Sequence, residues 1–209
     1  MIPFARDLDD ESLVASLTQP ELSLIHTLAA QVADMLGDLA RSPSITDPYA
    51  AALYEAVGIG GSAALHSDPA IARLLPDAYA DDADASRDFR GLTERSLAAR
   101  KVANARVVID SLDVADETSG ELRLAPAQVQ SWLRTLADIR LTIAVRLGIE
   151  TDDDAELKGY GLDGDGPDGD GADDDDQTAD DQTDDDKLLM RDVYDWLGWV
   201  TESLLEALE

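Results

Sequence analysis

The chain of 209 residues contains no cysteine. Disulfide bonds, thiolate catalysis, cysteine-ligated zinc and thiol-based redox switching are therefore excluded. The sequence also has no run of about 18 apolar residues, the length that a membrane-spanning helix needs. The opening MIPFARDLDD is not followed by the apolar stretch of a signal peptide. We therefore expect a cytoplasmic protein without a membrane partner.

Positive charge is scarce throughout the chain. Lys and Arg number 16 against 45 Asp and Glu, and the formal net charge is −29. Binding to DNA or to an anionic membrane requires local positive charge. The balance therefore favours a protein partner and disfavours direct DNA binding. Hydrophobic residues make up 44% of the chain, enough for the core of a single domain that covers 1–209.

Much of the negative charge lies in one segment, 151–187, which reads TDDDAELKGYGLDGDGPDGDGADDDDQTADDQTDDDK and carries a formal charge of −15. Such a composition cannot bury enough apolar surface to offset its ordering entropy, so we predict a disordered insertion within the domain. Its Asp-Gly repeats do not fit a calcium-binding loop, because Pro167, Asp168 and Asp174 occupy the positions of a ligand, a glycine and a glutamate. We expect no metal and no cofactor. The sequence leaves open whether the insertion is only solvated or masks a basic surface.

Apolar spacing and prolines at helix starts predict a mainly α-helical bundle. The predicted helices cover 20–41, 47–57, 69–75, 82–112, 126–147 and 188–208. Short apolar runs at 12–17 and 121–124 are predicted strands, which would form a small two-stranded β element if they pair. The acidic loop then lies between the last two helices.

Basic side chains are concentrated in the helix predicted over 82–112. Six of them stand between 86 and 109: Arg87, Arg90, Arg95, Arg100, Lys101 and Arg106. At about 100° per residue they do not share one helix face. Salt bridges to the acidic remainder of the fold explain them better than DNA contacts do, although this helix is the expected contact if DNA is bound.

Arg140 falls in the middle of the apolar face of the helix predicted over 126–147. A buried arginine needs a carboxylate or carbonyl partner, because an unpaired buried charge is costly. Asp192 and Asp195 on the last helix are the candidate partners, so we predict a partly buried ion pair that joins the two helices. A ligand-binding role for Arg140 is the alternative.

Trp199 lies at the edge of the predicted core face of the last helix. The core positions of that helix are predicted to be Leu189, Val193, Trp196, Val200 and Leu204. Tryptophan is enriched at binding hot spots, so Trp199 is a candidate anchor for a partner protein, with packing at the core edge as the alternative. His26 and His66 have no triad or metal-ligand company in the sequence, and we expect no enzyme activity.

Three segments resemble a known family when they are read in order. They are 68–101 (DPAIARLLPDAYADDADASRDFRGLTERSLAARK), 132–149 (WLRTLADIRLTIAVRLGI) and 194–208 (YDWLGWVTESLLEAL). Together with the opening MIPF they are similar to the actinobacterial AosR-type oxidative-stress transcriptional regulators, long catalogued as a domain of unknown function. Redox sensing in that family is attributed to a Cys-x-x-x-Cys pair, which this chain lacks, so no sensing residue is carried over.

The resemblance implies a non-enzymatic regulator in the stress response that is associated with transcription. Together with the acidic charge, it favours contact with a protein of the transcription machinery, such as RNA polymerase or a sigma factor. The alternative is an adaptor or scaffold that acts through helix–helix contacts and has no role in transcription. The sequence does not show whether the protein forms a homo-oligomer.

Overall fold

A computed structural model of the protein describes residues 1–41, 68–76, 83–115, 119–149 and 177–209, with the backbone only for 83–92 and 177–184. Within these ranges the chain forms β1 (Ile2–Arg6), β2 (Leu13–Ser16), α1 (Gln19–Arg41), α2 (Pro69–Leu74), α3 (Ala83–Asp113), β3 (Glu121–Leu124), α4 (Pro126–Leu147) and α5 (Gln177–Glu206). The predicted mainly helical fold is confirmed. None of the described helices has an apolar stretch long enough to cross a bilayer.

The β element contains three antiparallel strands in the order β1-β2-β3. The two predicted strands do pair, with Leu13 opposite Leu124 and Ser16 opposite Glu121. The prediction of only two strands is corrected by β1, which pairs with the other side of β2. Sequence reasoning missed β1 because Phe4 is its single buried residue, so the strand has no alternation of apolar and polar side chains.

Local capping explains where the helices begin and end. Thr18 directly precedes α1, and its backbone N–H and its hydroxyl both donate to Glu21 Oε2, at 2.7 and 2.9 Å, which fixes the first turn of the helix. The amino-terminal ammonium of Met1 lies 3.1 Å from the other oxygen of the same carboxylate. Pro126 stands in the first turn of α4, and Gly148 ends that helix with a φ of 67°.

Trp132 on α4 lies in the middle of the core and is fully buried. Its indole Nε1 donates to Ser111 Oγ on α3 at 2.9 Å, so its one polar atom is satisfied. The ring of Phe4 on β1 meets it edge-on, with 6.2 Å between the ring centroids. Aliphatic side chains from every layer complete this core, including Ile25, Leu36, Leu122, Leu136, Leu197 and Leu204. The sheet, α1, α3, α4 and α5 therefore share one hydrophobic core.

The last helix begins earlier than the sequence predicted. It starts at Gln177 instead of Leu188, so the end of the segment predicted to be disordered belongs to α5. Extending a helix that is already nucleated costs less than starting one, which favours this continuation. The rest of that segment, 151–176, and the helix predicted over 47–57 lie outside the described residues.

One predicted core position on α5 is wrong. Val200 and Leu204 are buried as predicted, but Leu189 is 65% exposed and Leu197 takes a buried position instead. All residues from 185 to 189 are exposed, so no described element covers this part of the helix. Periodicity indicates which face of a helix is apolar, but it does not show where along the helix its neighbours begin.

Candidate interaction surface

Trp199 is the largest side chain that the described surface of α5 leaves open to solvent, with 42% of its surface exposed. Leu197, Val200 and Leu204 turn into the core and are completely buried, while Trp196 is half-buried and packs against the core. Because a helix turns by about 100° per residue, these contacts leave Trp199 on the solvent side. Of the three tryptophans, only Trp132 is fully enclosed and only Trp199 is exposed.

Acidic residues surround Trp199 on the exposed side of α5. Six positions spaced three or four apart share this side, and all six are exposed; we call them the Trp199 face: Leu188, Asp192, Asp195, Trp199, Glu202 and Glu206. Asp195 and Glu202 lie one turn from the tryptophan on either side, and Asp192 and Glu206 lie two turns away. Along the helix, Trp199 therefore stands between two acidic residues on each side.

Three of these four carboxylates have no positive partner among the residues that the structure describes. Asp195 pairs with Arg191 on the same helix, with 3.1 Å between Oδ2 and Nε. Within the ranges that the structure describes, no ion pair involves Asp192, Glu202 or Glu206. The face thus keeps a negative potential, which attracts cationic groups.

Arg140 contacts α5 through an aromatic ring. Its guanidinium Cζ lies 4.6 Å from the centroid of the Tyr194 ring, a cation–π contact. Its Nε is buried and has no hydrogen-bond partner within the described part of the chain. The predicted ion pair with Asp192 or Asp195 is absent from the described contacts, because both carboxylates lie on the exposed side of α5 and Asp195 is bound by Arg191.

The basic side chains of α3 that the structure describes do not all lie on the surface. Lys101 points inward to α4, where its Nζ lies 2.5 Å from Asp138 Oδ1 and its side chain is only 17% exposed. Arg95 is half-buried, whereas Arg100 and Arg106 are exposed. The side chains of Arg87 and Arg90 lie outside the described residues. The structure therefore brings Lys101 into the helix interface and leaves Arg100 and Arg106 as the described exposed arginines of the predicted set.

Sequence reasoning missed a row of polar contacts between α3 and α4. Besides the Lys101–Asp138 pair, Ser131 Oγ donates to Asn104 Oδ1 at 3.1 Å, and Trp132 bonds to Ser111 as described above. Burial raises the pKa of Asp138, and the hydrogen bond from Lys101 offsets part of that increase. One feature of the sequence could have indicated these contacts. The spacing of Ser131 and Asp138 places two polar side chains two turns apart beside the apolar face of α4.

The described residues contain no group of three or more His, Asp or Glu side chains that could hold a metal ion. His26 lies beside Asp113, with 3.4 Å between Nε2 and Oδ1, at the rim of a groove of about 350 Å³ between α1 and the end of α3. His66 lies outside the described residues. Apart from His26 and Asp113, the nucleophilic side chains among the described residues that line this groove are the hydroxyls of Ser23 and Thr27.

Comparisons with known proteins agree with the resemblance found in the sequence. The model of the family described as "Domain of unknown function (DUF2017)" matches residues 1–208. The chain is 31% identical over 157 residues to proteins named "Oxidative stress regulator AosR" from Mycobacterium bovis and Mycobacterium tuberculosis, which covers 69% of this chain and 69% of each relative. A "Putative oxidative stress regulator AosR" from Mycobacterium leprae is 29% identical over 144 residues, covering 62% of this chain and 63% of the relative. No solved structure matches.

Proposed function

This chain belongs to the DUF2017 family, and we propose that it is a non-enzymatic cytoplasmic regulator that acts on transcription by binding a protein of the transcription machinery. RNA polymerase and sigma factors are the partners that we expect. The names of its mycobacterial relatives support a regulatory role. Because the chain has no cysteine, its regulation does not use a thiol switch.

The exposed Trp199 is the observation that carries this proposal. Tryptophan is enriched at hot spots of protein interfaces, where a large rigid ring fills a pocket on the partner. An exposed tryptophan on the last helix offers such an anchor, and the core does not need it, because Leu197, Val200 and Leu204 already fill the buried side. The net charge of −29 disfavours the sugar–phosphate backbone of DNA as the ligand.

Affinity capture from the native cytosol tests the proposal. The tagged full chain, a Trp199→Ala variant and a Leu189→Ala variant are each used with and without nuclease. Leu189→Ala is the matched control, because Leu189 is also an exposed apolar residue of α5 but does not belong to the Trp199 face. We expect RNA polymerase or a sigma factor with the unmodified chain and with Leu189→Ala in both arms, and a loss with Trp199→Ala.

Two other outcomes would overturn the proposal. Recovery that disappears with nuclease would show that DNA bridges the proteins. Recovery of only non-transcription proteins would favour the second candidate function, an adaptor or scaffold that acts through helix–helix contacts. The exposed apolar residues Leu188, Trp199 and Leu205 on α5 are the observation that favours this alternative. Its binding would resist added salt, because apolar contacts are not screened.

A further inference from the structure

The Trp199 face has the properties of a binding site for positive charge. We propose that it receives an arginine-rich segment of the partner protein, with a guanidinium group stacked on the indole of Trp199 and neighbouring cations paired with the flanking carboxylates. This inference rests on the proposed function and adds the chemistry of the partner. It follows from the geometry of the face, its unpaired charges and a related contact within this chain.

The geometry of the face suits a segment that runs along the helix. A rise of about 1.5 Å per residue places Asp192 and Glu206 about 10 Å from Trp199 on either side. Asp195 and Glu202 lie about half as far away. A guanidinium group over the ring would therefore lie between carboxylates one turn away in both directions, and further cations of the same segment would reach the outer pair.

Charge decides which kind of partner fits this face. Residues 188–209 contain five acids and one base, Arg191, and that arginine is already paired with Asp195. The preceding segment 151–187 adds a formal charge of −15. An acidic or phosphate-bearing partner would be repelled, whereas a basic segment would be attracted over the length of the approach.

A contact within the chain shows the same chemistry on the inner side of α5. There the guanidinium of Arg140 stacks on Tyr194, 4.6 Å from the ring centroid. An indole binds cations more strongly than a phenol ring does, so Trp199 is the better platform of the two. Arginine should bind there better than lysine, because its planar group both stacks on the ring and donates to two carboxylate oxygens.

Nuclear magnetic resonance of the indole N–H groups tests this inference at the level of single residues. The full chain, labelled with ¹⁵N, is titrated with a short amidated peptide in which arginine alternates with leucine. Trp199→Phe assigns the signal of Trp199, and the buried Trp132 serves as an internal reference. A peptide with neutral citrulline in place of arginine is the matched control, because citrulline keeps the shape and removes the charge.

We expect the Trp199 signal to shift with the arginine peptide, the Trp132 signal to stay in place, and the citrulline peptide to have little effect. Trp199→Ala should weaken binding about tenfold, the effect of losing a moderate hot spot. Asp192→Asn combined with Glu202→Gln should weaken it about fivefold, as expected for two exposed ion pairs. Added salt should weaken binding to the unmodified chain more than to this double variant.

Three results would overturn the inference. Binding without a shift of the Trp199 signal would show that the peptide binds away from the Trp199 face. Equal binding of the citrulline peptide would mean apolar recognition. A Trp199 shift that depends on protein concentration alone would identify a second copy of the chain as the occupant. The proposed function fails separately, because its test is the recovery of transcription proteins, which these titrations do not measure.

Discussion

The buried pair of Lys101 and Asp138 offers the sharpest test of the packing between α3 and α4. Replacing Lys101 by Met keeps most of the apolar stem and removes the charge. The side chain of Asp138 is only 6% exposed, so the variant leaves a buried carboxylate without its cation. Loss of one partner from a buried pair costs about 3–5 kcal/mol. We expect a loss of about 3 kcal/mol in the free energy of unfolding at neutral pH, because Asp138 can reduce its cost by binding a proton.

The sign of the pH dependence follows from the direction of the pKa shift. Burial already raises the pKa of Asp138 above its ordinary value of 3.8, and removal of Lys101 removes the group that opposes this increase. A carboxyl group with a raised pKa binds its proton more tightly in the folded state. Its contribution to stability is therefore fully present below pH 3.8 and is lost as the pH rises through the folded pKa. The variant should lose least at acidic pH and most at alkaline pH.

Urea unfolding followed by circular dichroism at several pH values measures both effects. The control is the double variant Lys101→Met with Asp138→Leu, which removes both charges. It should recover most of the lost stability, because an apolar pair of similar volume often replaces a buried ion pair at little cost. A loss below about 1 kcal/mol in the single variant, the range of an exposed ion pair, would refute the reasoning. A loss that grows as the pH falls would refute it as well.

Two further substitutions test the sheet and the contact between α4 and α5. Gly120→Ala should destabilise the protein by about 2 kcal/mol or more, because Gly120 has a φ of +67° and a Cβ there would lie 1.9 Å from the carbonyl oxygen of Leu17. Thermal unfolding measures this loss of stability. Unchanged stability of the variant would contradict the prediction. Arg140→Met should cost about 1 kcal/mol through the lost cation–π contact with Tyr194. The cost should change little with salt, whereas a strong salt dependence would restore the ion-pair hypothesis.

Much of the fold could be predicted from local patterns. Several features depend on a few neighbouring residues each, so the sequence shows them directly. They are the helix starts at Pro69 and Pro126, the end of α4 at Gly148 and the strands around Leu13 and Leu122. Strand β1 was not predictable in this way. It is held by its pairing with β2 and by the contact of Phe4 with Trp132, a residue far along the chain.

The candidate site likewise has features that local patterns predict and features that depend on contacts between distant segments. The sequence indicated that Trp199 borders the apolar face of its helix, and the structure shows that 42% of its surface stays exposed. Arg140 and Lys101 were both expected to find partners in an acidic protein. Their actual partners, Tyr194 and Asp138, lie on other helices, and helical periodicity carries no information about which helix packs against which.

The sequence by itself determined the absence of thiol chemistry, the acidic charge, the helical character and the family, since each of these depends on composition, local spacing or similarity. The tertiary structure alone decided that Lys101 is inside the protein, that Arg140 stacks on a ring and that three carboxylates around Trp199 keep no described counterion. The physical reason is that burial and pairing are properties of contacts between distant segments. A helix face is set by its own residues, but its exposure is set by what packs against it.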